Sequence, residues 1–259
     1  MTGRVDFGPL AGDYDRYRVG YGPEVYAYVG ERLAAGPQGP VLDLACGTGL
    51  STVPLAEVSR GPVFGGDVAR SLLARAPKWA GQTPLHYIAA DATCLPLAGS
   101  SLAAITCAQA LHWIPPEPVL QEALRCLLPG GWFFAWWKYP HPDEPYQAAA
   151  DVILSRMHGR PIRQGFSLKE PPDFRTCGFA SFERADFDMT IPYTLDTYLG
   201  FMRSRYRIKE LAGERMEEFM AEYGVELERL IPRGRTVEER NQVFVFAGQS
   251  PGRTLKRSR

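Results

Sequence analysis

Between Pro40 and Lys138 the chain alternates short apolar runs with segments in which apolar residues recur at every third or fourth position. Runs that are apolar on both faces are typical of parallel strands with helices packed on either side. The pattern predicts strands at residues 40–45, 62–67, 85–90, 102–108 and 132–138. It predicts helices between them at residues 50–58, 69–76 and 118–127. The segment Pro129, Gly130 and Gly131 is expected to end the last helix.

The rest of the chain adds two strands and a helical segment. Apolar and polar residues alternate with period two over residues 182–194, and residues 242–249 form a further apolar run. Helical patterns around residues 196–205 and 214–230 lie between these strands, so we interpret residues 194–237 as a helical cap. We predict one domain, residues 1–259, with its core at residues 35–140. The expected fold class is α/β: a doubly wound, Rossmann-like, mostly parallel seven-stranded sheet with a helical cap insertion.

Composition narrows the class of function. The 259 residues carry 29 Lys and Arg against 29 Asp and Glu, and this zero net charge argues against a nucleic-acid partner, which would favour a basic excess. The five cysteines lack the spacing of a metal site, so we expect no metal and a reducing, cytoplasmic location. The sequence has neither a signal pattern at its start nor an apolar run that could span a membrane, so no membrane partner is expected.

The segment VLDLACGTGLST, residues 41–52, joins a predicted strand to a predicted helix through a glycine-rich turn. Such turns bind phosphate, carboxylate or ribose groups, because glycine lets a ligand approach the backbone and the helix N-terminus offers free N–H groups. A phosphate-binding loop of the Walker type needs a lysine after the glycines, and none is present. A dinucleotide fingerprint needs a third glycine where Thr52 stands, and Asp43 would crowd a pyrophosphate. A nicotinamide cofactor is therefore disfavoured, although the turn alone does not exclude it.

The letters D-L-A-C-G-T-G, residues 43–49, resemble the first motif of class I S-adenosylmethionine-dependent methyltransferases. The resemblance implies that Asp43, Ala45, Gly47 and Gly49 border S-adenosylmethionine, whose ammonium an acid could meet. It covers roughly residues 10–140 and is weak over the cap.

Two further acidic positions follow in the order that this family shows. Asp67 ends the second predicted strand, twenty residues after Gly47, where doubly wound folds place a carboxylate on the ribose hydroxyls. The resemblance adds Val68 beside it, and it implies that Asp91 and Ala92 of DATCLPL face the adenine. The alternative for Asp67 is a helix N-cap, and that for Asp91 is a plain turn residue. The later LRCLLPGG segment also resembles the family, in which its role is mainly structural.

The segment AQALHWIP follows the fourth predicted strand, at the edge of the sheet where ligands bind in open α/β folds. It resembles a branch that includes the trans-aconitate-type methyltransferases, in which this segment borders the sulfonium. Gln109 is the candidate cofactor contact, Trp113 the candidate substrate contact and His112 the candidate catalytic base. The alternative for His112 is a packed, hydrogen-bonded structural residue.

Two aromatic or cationic segments are candidates for covering the site. Tyr14 and Tyr17 lie in GDYDRYRVGY, which resembles a segment that folds over the cofactor as a lid in the same branch. Their rings suit a sulfonium through cation–π contact. In the cap, Arg203 and Arg207 are four residues apart, so on one helix they would share a side and could bind a carboxylate. A solvated charged face is the alternative for these arginines.

These observations predict methyl transfer from S-adenosylmethionine to a small-molecule acceptor. A carboxylate acceptor is favoured, because it is already ionised at neutral pH and needs no base, and no strong base constellation is visible. Two alternatives stay open: a nicotinamide-dependent oxidoreductase, and a non-catalytic nucleoside-binding protein on the same scaffold.

Overall fold

The computed structural model describes residues 11–162 and 173–252, which form a seven-stranded sheet with helices on both faces. The strands are β1 (Val41–Leu44), β2 (Val63–Asp67), β3 (Trp79–Ala80), β4 (Thr83–Pro84), β5 (His86–Ala89), β6 (Leu102–Ala108), β7 (Leu127–Pro140), β8 (Ser181–Tyr193) and β9 (Val237–Gln249). The sheet has the order β5-β2-β1-β6-β7-β9-β8, and β3 pairs with β4 in a separate antiparallel hairpin. Neighbours from β5 to β7 are parallel, whereas β9 runs antiparallel to both β7 and β8. The predicted α/β, Rossmann-like, mostly parallel sheet is confirmed.

The helices of the described residues alternate with these strands. They are α1 (Ala11–Tyr17), α2 (Pro23–Ala35), α3 (Thr52–Val58), α4 (Arg70–Leu73), α5 (Pro116–Cys126), α6 (Pro145–His158), α7 (Leu195–Arg203), α8 (Tyr206–Ala212) and α9 (Met216–Leu230). Short 3-10 helices lie at Leu111–Trp113 and Gly213–Arg215. One prediction was wrong in detail: the helix expected at residues 196–205 ends at Arg203, and a separate helix begins at Tyr206.

Side chains from the two faces of the sheet pack into separate cores. Phe133, Ala135 and Trp137 of β7 pack towards α5, while Phe134 and Trp136 of the same strand pack towards α2 and α3. This alternation follows from the period of two along a strand. It explains why the central strands read as continuous apolar runs, since both of their faces are covered.

The proline–glycine segment before the fifth parallel strand differs from the prediction. Residues 127–131 already belong to β7, and the pairing of β6 with β7 shifts register between Leu102, opposite Leu127, and Ala104, opposite Trp132. Proline at residue 129 cannot donate to the ladder, so the extra residues are accommodated as an irregularity at the start of the strand. The segment therefore interrupts the pairing of a strand instead of preceding it.

A third apolar cluster lies outside the sheet and is built mainly from α6, α7, α8 and α9. Tyr198 and Tyr223 are fully buried in it, and the Tyr223 hydroxyl donates to the Tyr146 carbonyl at 3.0 Å. Helix α6 was not predicted from the sequence, although its buried residues Tyr146, Ala150, Ile153 and Leu154 have helical spacing. Within the described residues, no helix is both long and apolar enough to span a bilayer.

Candidate functional site

The sequence-predicted site residues gather at one edge of the sheet. Ala45 follows β1, Asp67 ends β2, Asp91 follows β5, and Gln109 follows β6. These strands are parallel, so their carboxyl ends lie side by side. Strand order reverses between β1 and β6, since the chain runs outward from β1 through β2 to β5 and then returns to β6. Crevices at such reversal points are where open α/β sheets bind their ligands.

The turn after β1 is held in left-handed backbone conformations. Ala45, Gly47 and Gly49 have φ values of 54°, 57° and 82°. Glycine adopts this conformation without penalty, whereas alanine does so at a cost of about 1 kcal/mol or more. A Cβ on Gly49 would lie 2.9 Å from the Tyr87 hydroxyl oxygen. The turn therefore brings bare backbone to the reversal point of the sheet.

Asp43 supports this turn from within the protein. Its side chain is fully buried, and its carboxylate accepts hydrogen bonds from Ser51 and Thr52, both at 2.7 Å, and from Thr106 at 2.8 Å. Burial raises the pKa of this carboxyl to about 6, and the three hydroxyl donors oppose the rise. These contacts and its complete burial give Asp43 a supporting role in the turn, and the direct contact with a cofactor ammonium suggested by the sequence stays a prediction.

Asp67 connects the glycine turn to the end of β2. Its carboxylate accepts the N–H of Gly47 at 2.9 Å on one oxygen and the N–H of Ala69 at 2.7 Å on the other. A carboxylate has about four acceptor positions, so acceptor capacity for two vicinal hydroxyls remains. Burial raises the pKa of Asp67, and the backbone donors oppose the shift. The N-cap of α4 is Ala69, so the capping alternative does not hold for Asp67.

The residues expected near an adenine ring lie on the neighbouring strand ends. Val68 is 49% exposed and directly follows the last residue of β2. Asp91 accepts the N–H of Thr93 at 2.9 Å and its hydroxyl at 2.7 Å on the same oxygen, while Ala92 is buried. Asp91 thus shapes its own loop, as the turn alternative requires, and this geometry is also compatible with a ligand contact.

Gln109 and His112 follow β6. Gln109 is left-handed, with a φ of 52°, and its side-chain amide donates to the Lys138 carbonyl at 2.9 Å. The Trp137 indole N–H donates to Nδ1 of His112 at 2.9 Å. In a neutral imidazole the other nitrogen then carries the proton, so Nε2 is a donor. A base acting through Nε2 needs the opposite tautomer, so the geometry favours the structural alternative over the catalytic base.

The cap residues do not form the expected carboxylate clamp. Arg203 lies in α7 and Arg207 in α8, so they do not share one side of a single helix. Arg203 forms an ion pair with Glu217, and Arg207 forms one with Glu210. Both pairs are exposed, as the solvated-face alternative predicts. The cap nevertheless reaches the sheet edge, because the ring of Trp113 packs edge-on against that of Tyr206, with centroids 5.3 Å apart.

The N-terminal segment, residues 11–22, is fastened at several points. A Cβ on Gly200 of α7 would overlap the Tyr17 ring, so Tyr17 packs directly on that helix. Arg18 donates to the hydroxyl of Ser204 at 2.9 Å and to its carbonyl at 3.1 Å, and it lies over the Tyr14 ring. Together with α7, the segment forms a cover whose position suits the lid expected from the sequence.

Lys138 and Arg205 are charged groups that the sequence reasoning did not single out. The Lys138 ammonium, at the end of β7, donates to the carbonyls of Val19 at 2.6 Å and Gly20 at 2.8 Å. A lone cation closing the apolar run WFFAWWK was the available signal for Lys138. Arg205, at the start of α8, belongs to a charge run in the sequence, and its burial depends on helix packing that the sequence does not show.

Residues 42–135 match the family described as a methyltransferase domain. This range holds β1 to β6 and most of β7, and therefore every strand end described above except that of β7. The chain therefore carries a methyltransferase domain, and this match implies use of S-adenosylmethionine. The fold and the relatives described below agree with this match. The match does not show whether the chain belongs to the trans-aconitate-type branch.

Relatives of this methyltransferase include proteins with and without an assigned acceptor. It is 29% identical over 207 residues to an uncharacterized methyltransferase of Mycobacterium tuberculosis, covering 78% of this chain and 76% of the relative. It is 36% identical over 102 residues to a demethylmenaquinone methyltransferase of Beutenbergia cavernae, covering 39% of this chain and 41% of the relative.

Among solved structures, a proposed type II methyltransferase of Anaeromyxobacter dehalogenans has a TM-score of 0.67 at 21% identity, covering 92% of this chain and 100% of that structure. A Haemonchus contortus phosphoethanolamine N-methyltransferase bound to S-adenosylmethionine has a TM-score of 0.52 at 16% identity, covering 96% and 61%.

Proposed function

We propose that this methyltransferase binds S-adenosylmethionine in the crevice between the turn after β1 and the end of β2. The hydrogen bond from the Gly47 N–H to Asp67 carries the proposal, because it fixes a buried carboxylate beside a bare glycine backbone. Asp67 retains acceptor positions for the two ribose hydroxyls, and its residual exposure of 8% leaves an approach for them. Gly47, Gly49 and Ala45 would form the wall of the crevice. Asp43 would act indirectly, by holding the turn.

The neighbouring strand ends would receive the base and the amino-acid end of the cofactor. Val68 offers an exposed apolar surface against which an adenine ring can pack, and the Asp91–Ala92 loop lies on the next strand. Gln109 lies across the reversal point, where β6 adjoins β1. Tyr14 and Tyr17 belong to the segment that covers this edge and would close over the bound nucleoside.

The bound cofactor supplies a methyl group on a sulfonium, which is already activated for transfer. The chain then needs to exclude water and hold the acceptor in line, and both tasks suit a crevice covered by the N-terminal segment and the cap. In this proposal His112 donates a hydrogen bond or positions Trp113 and does not remove a proton. Trp113, which is 39% exposed and packed on Tyr206, would contact the acceptor.

The acceptor in this proposal is a small molecule. The zero net charge supports it, because a nucleic-acid substrate would favour a basic surface. The likeness of A-x-A-L-H-W to the trans-aconitate-type branch points the same way and stays a prediction. The oxidoreductase and non-catalytic alternatives are not favoured by the relatives.

The test measures binding of S-adenosylhomocysteine and of its 2′-deoxy analogue by calorimetry. We expect the parent protein to prefer the ribose form, and Asp67→Asn to bind it about ten- to hundredfold more weakly, since hydrogen bonds to a charged group are lost. Asp67→Asn should also discriminate less between the two ligands.

Asp173→Asn is the matched control, because Asp173 likewise accepts two backbone N–H groups in a turn, from Arg175 and Thr176, but lies away from these strand ends. It should bind like the parent. Unchanged affinity in Asp67→Asn, or no binding by the parent, would overturn the proposal.

A further inference from the structure

A group of cations lies between the N-terminal segment and the cap. Arg18 and Arg205 both pack near the ring of Phe201, with guanidinium carbons 5.3 Å and 5.8 Å from its centroid. Arg18 donates to Ser204, and Arg205 donates to the Gln147 side-chain oxygen. Both of these acceptors are neutral, so the hydrogen bonds leave the two positive charges uncompensated.

Lys138 adds a third positive charge from the sheet side. Its ammonium donates to two neutral carbonyls and lies 5.4 Å from the centroid of the Tyr21 ring. Desolvation, followed by the charge of Arg18, lowers the pKa of Lys138 to about 7, while Glu239 acts in the opposite direction. Desolvation and the charge of Arg18 also lower the pKa of Arg205. The charge of Arg18 thus raises the electrostatic cost of the other two cations.

The carboxylate of Glu239 is the counter-charge within range of this group. It is fully buried, and its oxygens accept from the Tyr198 hydroxyl at 2.6 Å and from the Asn241 amide at 3.1 Å. In the part of the chain that the structure describes, neither Arg18, Lys138 nor Arg205 forms a hydrogen bond or ion pair with a carboxylate. Three cations therefore share one acid.

Five other arginines of the cap behave differently. Those at 203, 207, 215, 229 and 233 are each paired with a glutamate. An uncompensated charge away from water is costly, so a protein keeps one mainly where a ligand of opposite charge completes it. The contrast with the paired arginines singles out the Arg18–Lys138–Arg205 cluster as a place for an anion.

The cluster adjoins the proposed cofactor crevice. The Lys138 carbonyl accepts from Gln109, at the end of β6, and the Lys138 ammonium holds Gly20. Gly20 in turn lies against Leu50, next to the glycine turn: a Cβ on Gly20 would be 3.9 Å from Leu50 Cδ1. A molecule bound at the cluster would therefore lie beside the crevice that receives the methyl donor.

We propose that Arg18, Lys138 and Arg205 bind an acidic group, a carboxylate or phosphate oxyanion, of the methyl acceptor. This inference rests on the proposed function and names its substrate class as small organic acids. It assigns acid binding to these three cations instead of Arg203 and Arg207, which already form ion pairs with glutamates. Guanidinium groups pair with oxyanions in a fork geometry, and the ammonium adds a point charge.

The test measures binding of succinate and of inorganic phosphate to the full chain by calorimetry at pH 8, with chloride at equal ionic strength as the reference. We expect one of the two anions to bind the parent, and Arg18→Gln and Lys138→Met to weaken its binding by about tenfold or more. Whichever anion binds identifies the source of the oxyanion. Binding should also take up protons, because the anion favours the charged form of Lys138. Calorimetry in buffers of different ionisation enthalpy measures this uptake, and Lys138→Met should lose it.

Arg207→Gln is the matched control, since it removes a cap arginine that already has a partner, and it should bind the anion like the parent. Melting curves establish that each variant is folded. The assignment would be overturned if chloride bound the parent as tightly as succinate or phosphate, or if Arg18→Gln and Lys138→Met both bound the anion with the affinity of the parent.

Binding of S-adenosylhomocysteine, measured in the same samples, separates this inference from the proposed function. A parent that binds the nucleoside but neither anion contradicts only the acid subsite. A parent that binds an anion but no nucleoside contradicts the assignment of the site to a methyl acceptor.

Discussion

At Asp43 three hydroxyl groups converge on one buried carboxylate, and this residue ties the glycine turn to two strands. Ser51 and Thr52 come from the turn and the start of α3, while Thr106 comes from the adjacent strand β6. Hydroxyls offset only part of the desolvation that a buried charge suffers, which is why the pKa lies at about 6. The residue at the base of the turn is thus partly protonated in mildly acid solution.

This raised pKa predicts an unusual pH dependence of stability. The folded protein retains the Asp43 proton up to about pH 6, whereas the unfolded chain loses it near pH 4. The contribution of Asp43 is therefore fully present below pH 4 and is lost as pH rises through about 6, by roughly 3 kcal/mol at most. Denaturant unfolding between pH 4 and pH 7 should show this decline in the parent relative to Asp43→Asn. A constant difference between the two proteins over that range would contradict the pKa.

The types of the site residues could be read from the sequence, but their partners could not. Asp67 was found because a spacing of twenty residues from Gly47 is set by one βαβ passage, and the two residues do meet. The support that Asp43 gives to the turn was not predicted, because Thr106 is 63 residues away in sequence and reaches Asp43 only through strand pairing. Arg205 was missed for a similar reason, since a charge run does not reveal which of its members faces inward.

Helix α7 links the N-terminal segment to the cap through a glycine. Gly200 lies against the Tyr17 ring, whereas a Cβ added to Gly224 of α9, also within a helix, would come no closer than 3.9 Å to Leu199. The two glycines therefore differ in what a methyl group would displace, although their helical backbones are alike.

Replacing each glycine by alanine should separate packing from helix propensity. Gly224→Ala is expected to stabilise the protein by about 0.5–1 kcal/mol, because alanine loses less backbone entropy in a helix. Gly200→Ala should lose this gain, since its methyl group displaces Tyr17, and it should also weaken binding of S-adenosylhomocysteine if the segment covers the crevice. Denaturant unfolding and calorimetry measure the two effects. Equal stabilisation by both substitutions would show that Tyr17 yields without cost.

Elements with strong periodicity were predicted well, and those defined by tertiary packing were not. The seven strands of the sheet were predicted, because buried parallel strands give continuous apolar runs and β8 alternates with period two. The break between α7 and α8 was missed, because Ser204 and Arg205 are compatible with a helix and leave it only through contacts with Arg18 and Gln147. Helix α2 was also missed, since no helix was predicted between the lid segment and the first strand.

For the whole molecule, balanced charge conceals an uneven distribution. The totals of basic and acidic residues are equal, and many surface arginines are paired with neighbouring acids. Among the described residues, Arg18, Lys138 and Arg205 donate hydrogen bonds to neutral acceptors. A net charge of zero therefore does not predict the electrostatic potential at a particular site, because that potential depends on which local charges are paired.

Binding of the nucleoside should raise the stability of the whole fold. Ligand at a hundredfold excess over its dissociation constant adds about 2.7 kcal/mol to the free energy of unfolding. For a chain of this length, that gain corresponds to a rise in melting temperature of roughly 5–10 °C. A thermal melt with S-adenosylhomocysteine tests this, with Asp67→Asn at the same ligand concentration as the comparison. An equal shift in both proteins would mean that the ligand stabilises the chain from another site.

The fastening of the N-terminal segment has a consequence for the order of events in catalysis. Lys138 holds the carbonyls of Val19 and Gly20, and Arg18 holds Ser204, so the segment is tied down at both the sheet and the cap. If Arg18 and Lys138 also bind the acid group of the acceptor, the same hydrogen-bond donors hold both the acceptor and the N-terminal segment. The nucleoside must then enter before the acceptor, and its spent form must wait for the acceptor product to leave.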